Sequence, residues 1–327
     1  MKVGVVGIGW WSDVLAATMQ KSDRVEVAAC YTRSAEKRKA FADKFNCYPA
    51  ETYEDMLAME DLDGVILTTP NSAHRPGTEA AAKAGKHVFV EKPISNTMED
   101  GRAMIEACSM AGVVLSVGHS YRRHAALRKL RDLIDTGEMG RVSLAEGVFS
   151  NSNGLKLKPG VWRTDAVEIP GGCLMQIGIH HIDNLLYLLG PATDVTAYFN
   201  RLEVEPEIED VTALLMRFES GAVGYVAADY ISPRRFQMTL HGTKANAFFD
   251  IDNDGLRLQR IGEDKPSPIE IGPSDHLMAE LEEFAECAMD GKAPEVGGTE
   301  ALRPLAVVLA AQRSSKEGRS VSLSEFS

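Results

Sequence analysis

Short, almost wholly apolar runs rich in β-branched residues alternate with helical patterns through the first third of the chain. Residues 2–6, 25–31, 64–68, 87–90 and 113–117 read as buried strands, and residues 13–20, 35–45, 73–84 and 98–111 as helices. A strand with no polar side is buried on both faces, so the alternation predicts a parallel sheet with helices on either side. Right-handed crossovers make this a doubly wound, dinucleotide-type fold. After residue 120 the rhythm changes. Residues 125–135 read as a helix ended by Gly137-Glu138-Met139-Gly140, and several strands with short turns follow. Residues 211–218 and 223–228 flank Glu219-Ser220-Gly221 as a hairpin, and 236–241, 245–250 and 256–260 continue the series. Residues 275–289 and 300–314 read as terminal helices, while 151–170 and 201–210 carry weak periodicity and read as loops over a cleft. The expectation is an α/β protein: a doubly wound parallel-sheet domain over 1–120, then an α+β domain over 121–327 with a mainly antiparallel sheet.

The chain has 327 residues, enough for about two domains. Its 35 Lys and Arg against 47 Asp and Glu leave a net charge of −12, with 25% charged and 44% hydrophobic residues. Such acidity repels phosphates at long range and argues against nucleic-acid or anionic-membrane partners. It leaves room for one small anion in a locally positive pocket. The five cysteines are an odd number with no CxxC pair, which suits reduced thiols rather than disulfides or a zinc site. No apolar run approaches the roughly 18 residues that span a bilayer. Met1 leads at once into a strand with no signal peptide, so a cytoplasmic location is expected. No His/Asp/Glu cluster has ligand spacing, so no metal is expected.

The first chemistry lies after the first strand, in Gly7-Ile8-Gly9-Trp10-Trp11-Ser12. Gly7 permits a tight turn, and Gly9 lets the backbone approach a pyrophosphate that the next helix N-terminus favours. Ser12 takes the third small position, where its hydroxyl can cap the helix. The end of the second strand selects the cofactor. An Asp or Glu there would hold the ribose 2′-OH of NAD. Here Cys30-Tyr31-Thr32-Arg33-Ser34 carries no acid. Arg33 can meet a 2′-phosphate, with Thr32 and Ser34 as hydroxyl donors and Lys37 one turn on. NADP is therefore preferred to NAD, the other reading of Arg33 being a solvated loop residue.

Two further strand ends carry polar groups where ligands of open α/β sheets bind: Thr69-Pro70-Asn71 with His74, and Glu91-Lys92-Pro93. A lysine placed there can polarise a carbonyl or stabilise an alkoxide, or be an ordinary surface residue. In the second domain, Gly171-Gly172 leads through Gln176 to His180-His181 and Asp183, then into a helix ending at Gly190. Gln176 and His180 are four apart and share a helix face, and His181 lies about 100° round. A histidine can serve as general base near neutral pH, although a His–His pair on a helix is more often structural. Asn151, Asn153, Lys156, Lys158, Asp165, Tyr230 and Arg234 can shape a polar pocket, but each reads first as a loop or surface residue.

Together these motifs resemble the Gfo/Idh/MocA (glucose-fructose oxidoreductase / inositol dehydrogenase) family. The matching residues are Gly7 and Gly9, the Thr-Thr-Pro-Asn stretch through His74, the Glu91-Lys92-Pro93 element, Gly118-His119 with Arg122, Trp162-Arg163, and Gly171-Gly172 through His180 and Asp183. The resemblance implies NAD(P) bound by a Rossmann domain. It implies a second domain whose open sheet covers the substrate cleft and commonly mediates oligomerisation, hence a homo-oligomer, dimer or tetramer. It also implies hydride transfer at a secondary alcohol of a sugar, cyclitol or related diol. In that family Lys92 matches the lysine beside the reacting oxygen, and Glu91 the residue near the nicotinamide. His180 matches the proton-transferring histidine, and Arg163 the arginine that reaches cofactor or substrate. Trp10, Trp11, Arg122 and Trp162 fall in cofactor-contacting stretches. Many relatives carry Asp where this chain has Gln176, which can hydrogen-bond a substrate but brings no charge. A non-catalytic NAD(P)-binding sensor and a nicotinamide-assisted glycosidase stand as alternatives.

Overall fold

The computed structural model describes residues 1–253 and 255–326. The chain divides into two compact units: Met1–Ser120 with Asp275–Leu302, and Tyr121–Ser274 with Arg303–Ser327.

In the first unit, strands and helices alternate as β1 (Lys2–Val6), α1 (Trp10–Met19), β2 (Glu26–Tyr31), α2 (Ala35–Phe45), β3 (Tyr48–Pro49), α3 (Tyr53–Leu57), β4 (Gly64–Leu67), α4 (His74–Lys83), β5 (His87–Glu91), α5 (Met98–Ala111) and β6 (Leu115–Gly118). The sheet is parallel, in the order β3-β2-β1-β4-β5-β6. The order reverses between β1 and β4, so their carboxyl ends flank the crevice where this fold binds ligands. The apolar runs are buried on both sides, as a parallel sheet requires: Val3, Val5, Ile66, Phe89 and Val90 are all fully buried.

The second unit contains α6 (Ala125–Asp135), β7 (Val142–Ser150), α7 (Ile179–Leu189), β8 (Ala192–Asn200), β9 (Val211–Phe218), β10 (Val223–Asp229), β11 (Arg235–Gly242), β12 (Ala245–Asp250), β13 (Gly255–Arg260) and β14 (Ser267–Pro268). After α8 (His276–Asp290), helix α9 (Gly298–Glu317) begins in the first unit and continues in the second, where β15 (Val321–Ser322) follows. The nine-stranded sheet runs β14-β13-β12-β11-β7-β10-β9-β8-β15 and is antiparallel except between β7 and β10. In β7, β10 and β11, Phe149, Val226 and Phe236 are buried, whereas Val148, Tyr225, Ala227 and Gln237 alternate onto the other, open face.

The fold class agrees with the sequence pattern, but three assignments need correction. Residues 275–302 belong to the first unit rather than to a second domain running unbroken from 121 to 327. The apolar face of α8 explains this: Leu281, Phe284 and Ala285 complete the core under β1, β2 and β5, and Phe284 meets Phe89 edge-on at 5.8 Å. Helix α1 starts at Trp10 instead of 13, because a reciprocal bond between Ser12 and Gly9 closes the turn earlier. Strands β7 and β8 were not predicted. In β7, Ser143, Glu146 and Gly147 interrupt the apolar pattern, yet it lies between β11 and β10 in mid-sheet.

Among the described residues no helix is long and apolar enough to cross a membrane, and no group of three or more His, Cys, Asp or Glu is placed to hold a metal. All five cysteines are free.

Candidate active site

In the first unit the site grows from the β1–α1 turn. Gly7 has φ +88°, and a Cβ on it would lie 2.8 Å from the Thr69 backbone nitrogen and methyl group. Only glycine fits, in conformation and in space. The Thr68 hydroxyl locks the turn by donating to the Gly7 carbonyl at 2.6 Å. Gly9 is exposed with nothing within 4 Å of a built Cβ, so the backbone there is open to a ligand at the start of α1. Ser12 is buried, and its hydroxyl accepts from Gly9 N–H at 2.8 Å and donates to the Gly9 carbonyl at 2.7 Å. Both of these hydroxyl bonds lie inside the turn, so the Ser12 side chain shapes the loop. Trp10 is 69% exposed.

At the carboxyl end of β2, Ser34 caps α2 by accepting from Lys37 N–H at 3.3 Å, and the Thr32 carbonyl accepts from Arg38 Nη1 at 2.7 Å. Arg33 and Lys37 stand exposed beside them. A cleft of about 250 Å³ joins this segment to the glycine turn, lined by Ile8, Gly9, Asp13, Lys37, Phe41 and Lys44. Lys44 pairs with Asp13 at 2.8 Å.

At the β4 and β5 ends, the Thr69 hydroxyl is buried without a hydrogen-bond partner. Such an orphan costs free energy unless a ligand or water satisfies it. Asn71 is buried and its amide donates to Asn96 Oδ1 at 3.0 Å. His74 is buried as well. Its Nδ1 lies 3.0 Å from the Pro93 carbonyl and its Nε2 3.2 Å from that of Thr69. The ring thus lies between the loop of Pro93 and that of Thr69, with one nitrogen facing each. The Glu91 carboxyl is buried at the end of β5, and burial lifts its pKa to about 7. The Trp11 indole N–H and the Lys92 ammonium temper that rise, although the indole makes no well-formed hydrogen bond. Gly118 leaves room for this carboxyl, since a Cβ there would come 3.0 Å from Glu91 Oε1. Lys92 is half-buried at the next position, and its peptide to Pro93 is cis.

In the second unit, Gly171 and Gly172 have φ +83° and +51°. A Cβ on Gly172 would lie 2.3 Å from the Glu209 carbonyl oxygen, so the 201–210 loop seats directly on this backbone. A π-helical turn, Leu174–Gly178, then precedes α7. Such turns insert one extra residue and recur at functional sites. The turn re-phases Gln176 relative to His180, which a continuous α-helix would have stacked one turn apart. His180 is half-buried; its ring meets Tyr121 edge-on at 4.7 Å, and Tyr121 stacks on Phe236 at 4.5 Å. His181 is fully buried, with Nε2 3.2 Å from the Val148 carbonyl, and burial depresses its pKa to about 4. It is a neutral core residue, and Gly147 makes room for it.

Arg122 was expected at the cofactor. It is instead buried in a two-pronged pair with Asp183, with its Nε donating at 3.0 Å, and lies 5.4 Å over the Tyr187 ring. These contacts tie Arg122 to two residues of α7. Arg163 is exposed as a residue, but its guanidinium stacks 4.2 Å over Trp162, and burial there draws its pKa below the usual arginine value. Gln176 donates from Nε2 to the Arg163 carbonyl at 3.2 Å and accepts at Oε1 from the Tyr230 hydroxyl at 2.8 Å. Tyr121 and Tyr230 are the residues that sequence reasoning undervalued. Tyr121 lies inside the Gly118–Arg122 stretch and could have been found there, whereas nothing near Tyr230 marks it, and Tyr230 is buried, not a surface residue.

Two family descriptions match the chain: an oxidoreductase family with an NAD-binding Rossmann fold over residues 1–119, and a GFO/IDH/MocA C-terminal domain over 127–248. The scyllo-inositol 2-dehydrogenase (NAD(+)) of Bacillus subtilis is 30% identical over 301 residues, covering 88% of this chain and 84% of its own. The D-xylose 1-dehydrogenase (NADP(+)) of Haloarcula marismortui is 28% identical over 319 residues, covering 92% and 87%. The crystal structure of an oxidoreductase from Desulfitobacterium hafniense superposes with a TM-score of 0.95 at 38% identity, covering 99% and 98%.

Proposed function

Because this chain belongs to the Gfo/Idh/MocA family of oxidoreductases, we propose that it is an NAD(P)-dependent dehydrogenase or reductase acting on a secondary alcohol or ketone of a sugar, cyclitol or related diol. One observation carries the cofactor part. The Gly7 cradle has no space for a side chain, and beside it the buried Thr69 hydroxyl lacks a protein partner. Those residues fit a dinucleotide. When bound, the nicotinamide supplies or accepts the hydride.

The chain's own residues do the rest. Backbone amides at the start of α1 hold the pyrophosphate. Arg33 and Lys37, exposed at the end of β2 where no acid stands, take a 2′-phosphate, so we assign NADP over NAD. Lys92 stabilises negative charge on the reacting oxygen, and His180 carries the hydroxyl proton. Arg163, stacked on Trp162, meets substrate or cofactor. We place the enzyme in the cytoplasm, where its five free thiols stay reduced. We further propose a homo-oligomer formed through the open face of the nine-stranded sheet.

The test is absorbance at 340 nm with both cofactors across sugars, cyclitols, dihydrodiols and sugar acids. A stoichiometric change with one polyol supports the reading. A regulator or a nicotinamide-recycling glycosidase would give no net change. Lys92→Ala should lower kcat by about 10²-fold or more while NADP affinity stays within about twofold. Unchanged turnover would reject the role of Lys92.

A further inference from the structure

Gln176 is held at both ends by groups that dictate its chemistry. The Arg163 carbonyl can only accept, so the atom facing it at 3.2 Å must carry a proton. The Tyr230 hydroxyl donates to the other end at 2.8 Å, so that atom must be an oxygen. An amide satisfies both demands. A carboxylate would set lone pairs against the Arg163 carbonyl.

Tyr230 is itself immobilised. Its N–H donates to the Asp210 carbonyl at 2.8 Å, and its carbonyl accepts from Gly154 N–H at 2.9 Å. A Cβ on Gly154 would lie 2.7 Å from Tyr230 Cβ, so glycine is what lets the two backbones approach. The Asp210 carboxylate in turn gathers the N–H groups of Leu202, Glu203 and Val204 at 2.8–3.0 Å, which makes its loop a rigid support. At the far end, the short turn carrying Arg163 has two backbone bonds of its own, Thr164 N–H to Val161 at 2.9 Å and Asp165 N–H to Trp162 at 3.2 Å.

We propose that Tyr230 and Gln176 are positioning residues that clasp the Arg163 main chain, and so aim the Trp162–Arg163 pair at the substrate. The clasp ties the 154, 176, 210 and 230 segments into one support, which the Arg163 turn lacks by itself. It governs substrate affinity more than the chemical step. Its kinetic consequence rests on the dehydrogenase reading above, whereas its structural consequence does not.

The experiment has two arms on the full chain, using Tyr230→Phe and, should that variant fold poorly, Gln176→Leu. Hydrogen exchange should show the 161–165 segment exchanging about tenfold faster than in the wild type, with α7 unchanged. With the polyol identified at 340 nm, KM should rise about 5- to 20-fold and kcat stay within about twofold, as expected for one lost buried hydrogen bond. Gln176→Glu should raise KM further, since it keeps the length and reverses the polarity facing Arg163. Unaltered exchange at 161–165 would overturn the clasp, as would a fall in kcat at constant KM. If no polyol is turned over by the wild type, the dehydrogenase reading fails alone, and the exchange arm still decides the clasp.

Discussion

Glu91 carries a protonation equilibrium that reaches into the physiological range. Its carboxyl is buried, and burial places its pKa at about 7 against about 4.3 in an unfolded chain. The folded state therefore binds this proton more tightly than the unfolded state. Its stabilising contribution is complete below the unfolded value and is lost as pH rises through 7. The loss is on the order of 4 kcal/mol at most. Glu91→Gln should gain thermal stability over the wild type at pH 8 but hardly at pH 5, as scanning calorimetry would show. Melting curves that stay parallel across that range would contradict the assignment. At this scale the sequence showed a lysine and an acid at a strand end, and a histidine at a helix start. It could not show that Glu91 is buried, that His181 is a neutral core residue, or that Arg122 pairs with Asp183. Those facts depend on what packs around each side chain.

Elements set how these residues are presented. Strand β2 ends with no acid, and Ser34 starts α2 by accepting from Lys37 N–H, so Arg33 and Lys37 stand out at one corner. Arg33→Ala should raise the Kd for NADP about tenfold or more and leave that for NAD within about twofold, measured by fluorescence titration. An equal effect on both cofactors would make Arg33 a bystander. Most of these elements were legible, because a period of two or 3.6 residues survives in the sequence wherever one partner layer dominates. The π-helical turn was not. Its apolar spacing matches an α-helix, whereas the turn starts where Gly172 packs against the Glu209 backbone and Cys173 N–H donates to the Glu209 carbonyl at 2.9 Å.

For the whole molecule, the open face of the nine-stranded sheet exposes Tyr198 at 80% and Leu215 at 52%, with Val223 on the adjoining strand. Exposed apolar side chains on one sheet face suit association, and a second copy of the chain is the occupant we propose. Leu215→Lys should shift sedimentation toward the monomer while the circular dichroism spectrum stays unchanged. A wild type that already sediments as a monomer would reject the surface.

The sequence alone determined the alternating layers of the first unit, the glycine turn and the absence of an acid after β2. Each is written in consecutive residues, where hydrophobic period and backbone freedom act locally. Tertiary structure decided that α8 returns to the first core, that His74 lies between the Pro93 and Thr69 carbonyls, that Arg122 pairs with Asp183, and that Gln176 joins Tyr230 to the Arg163 turn. Most of those outcomes arise from groups distant in the sequence, each needing a partner once water is excluded, and no local pattern records which partner it finds.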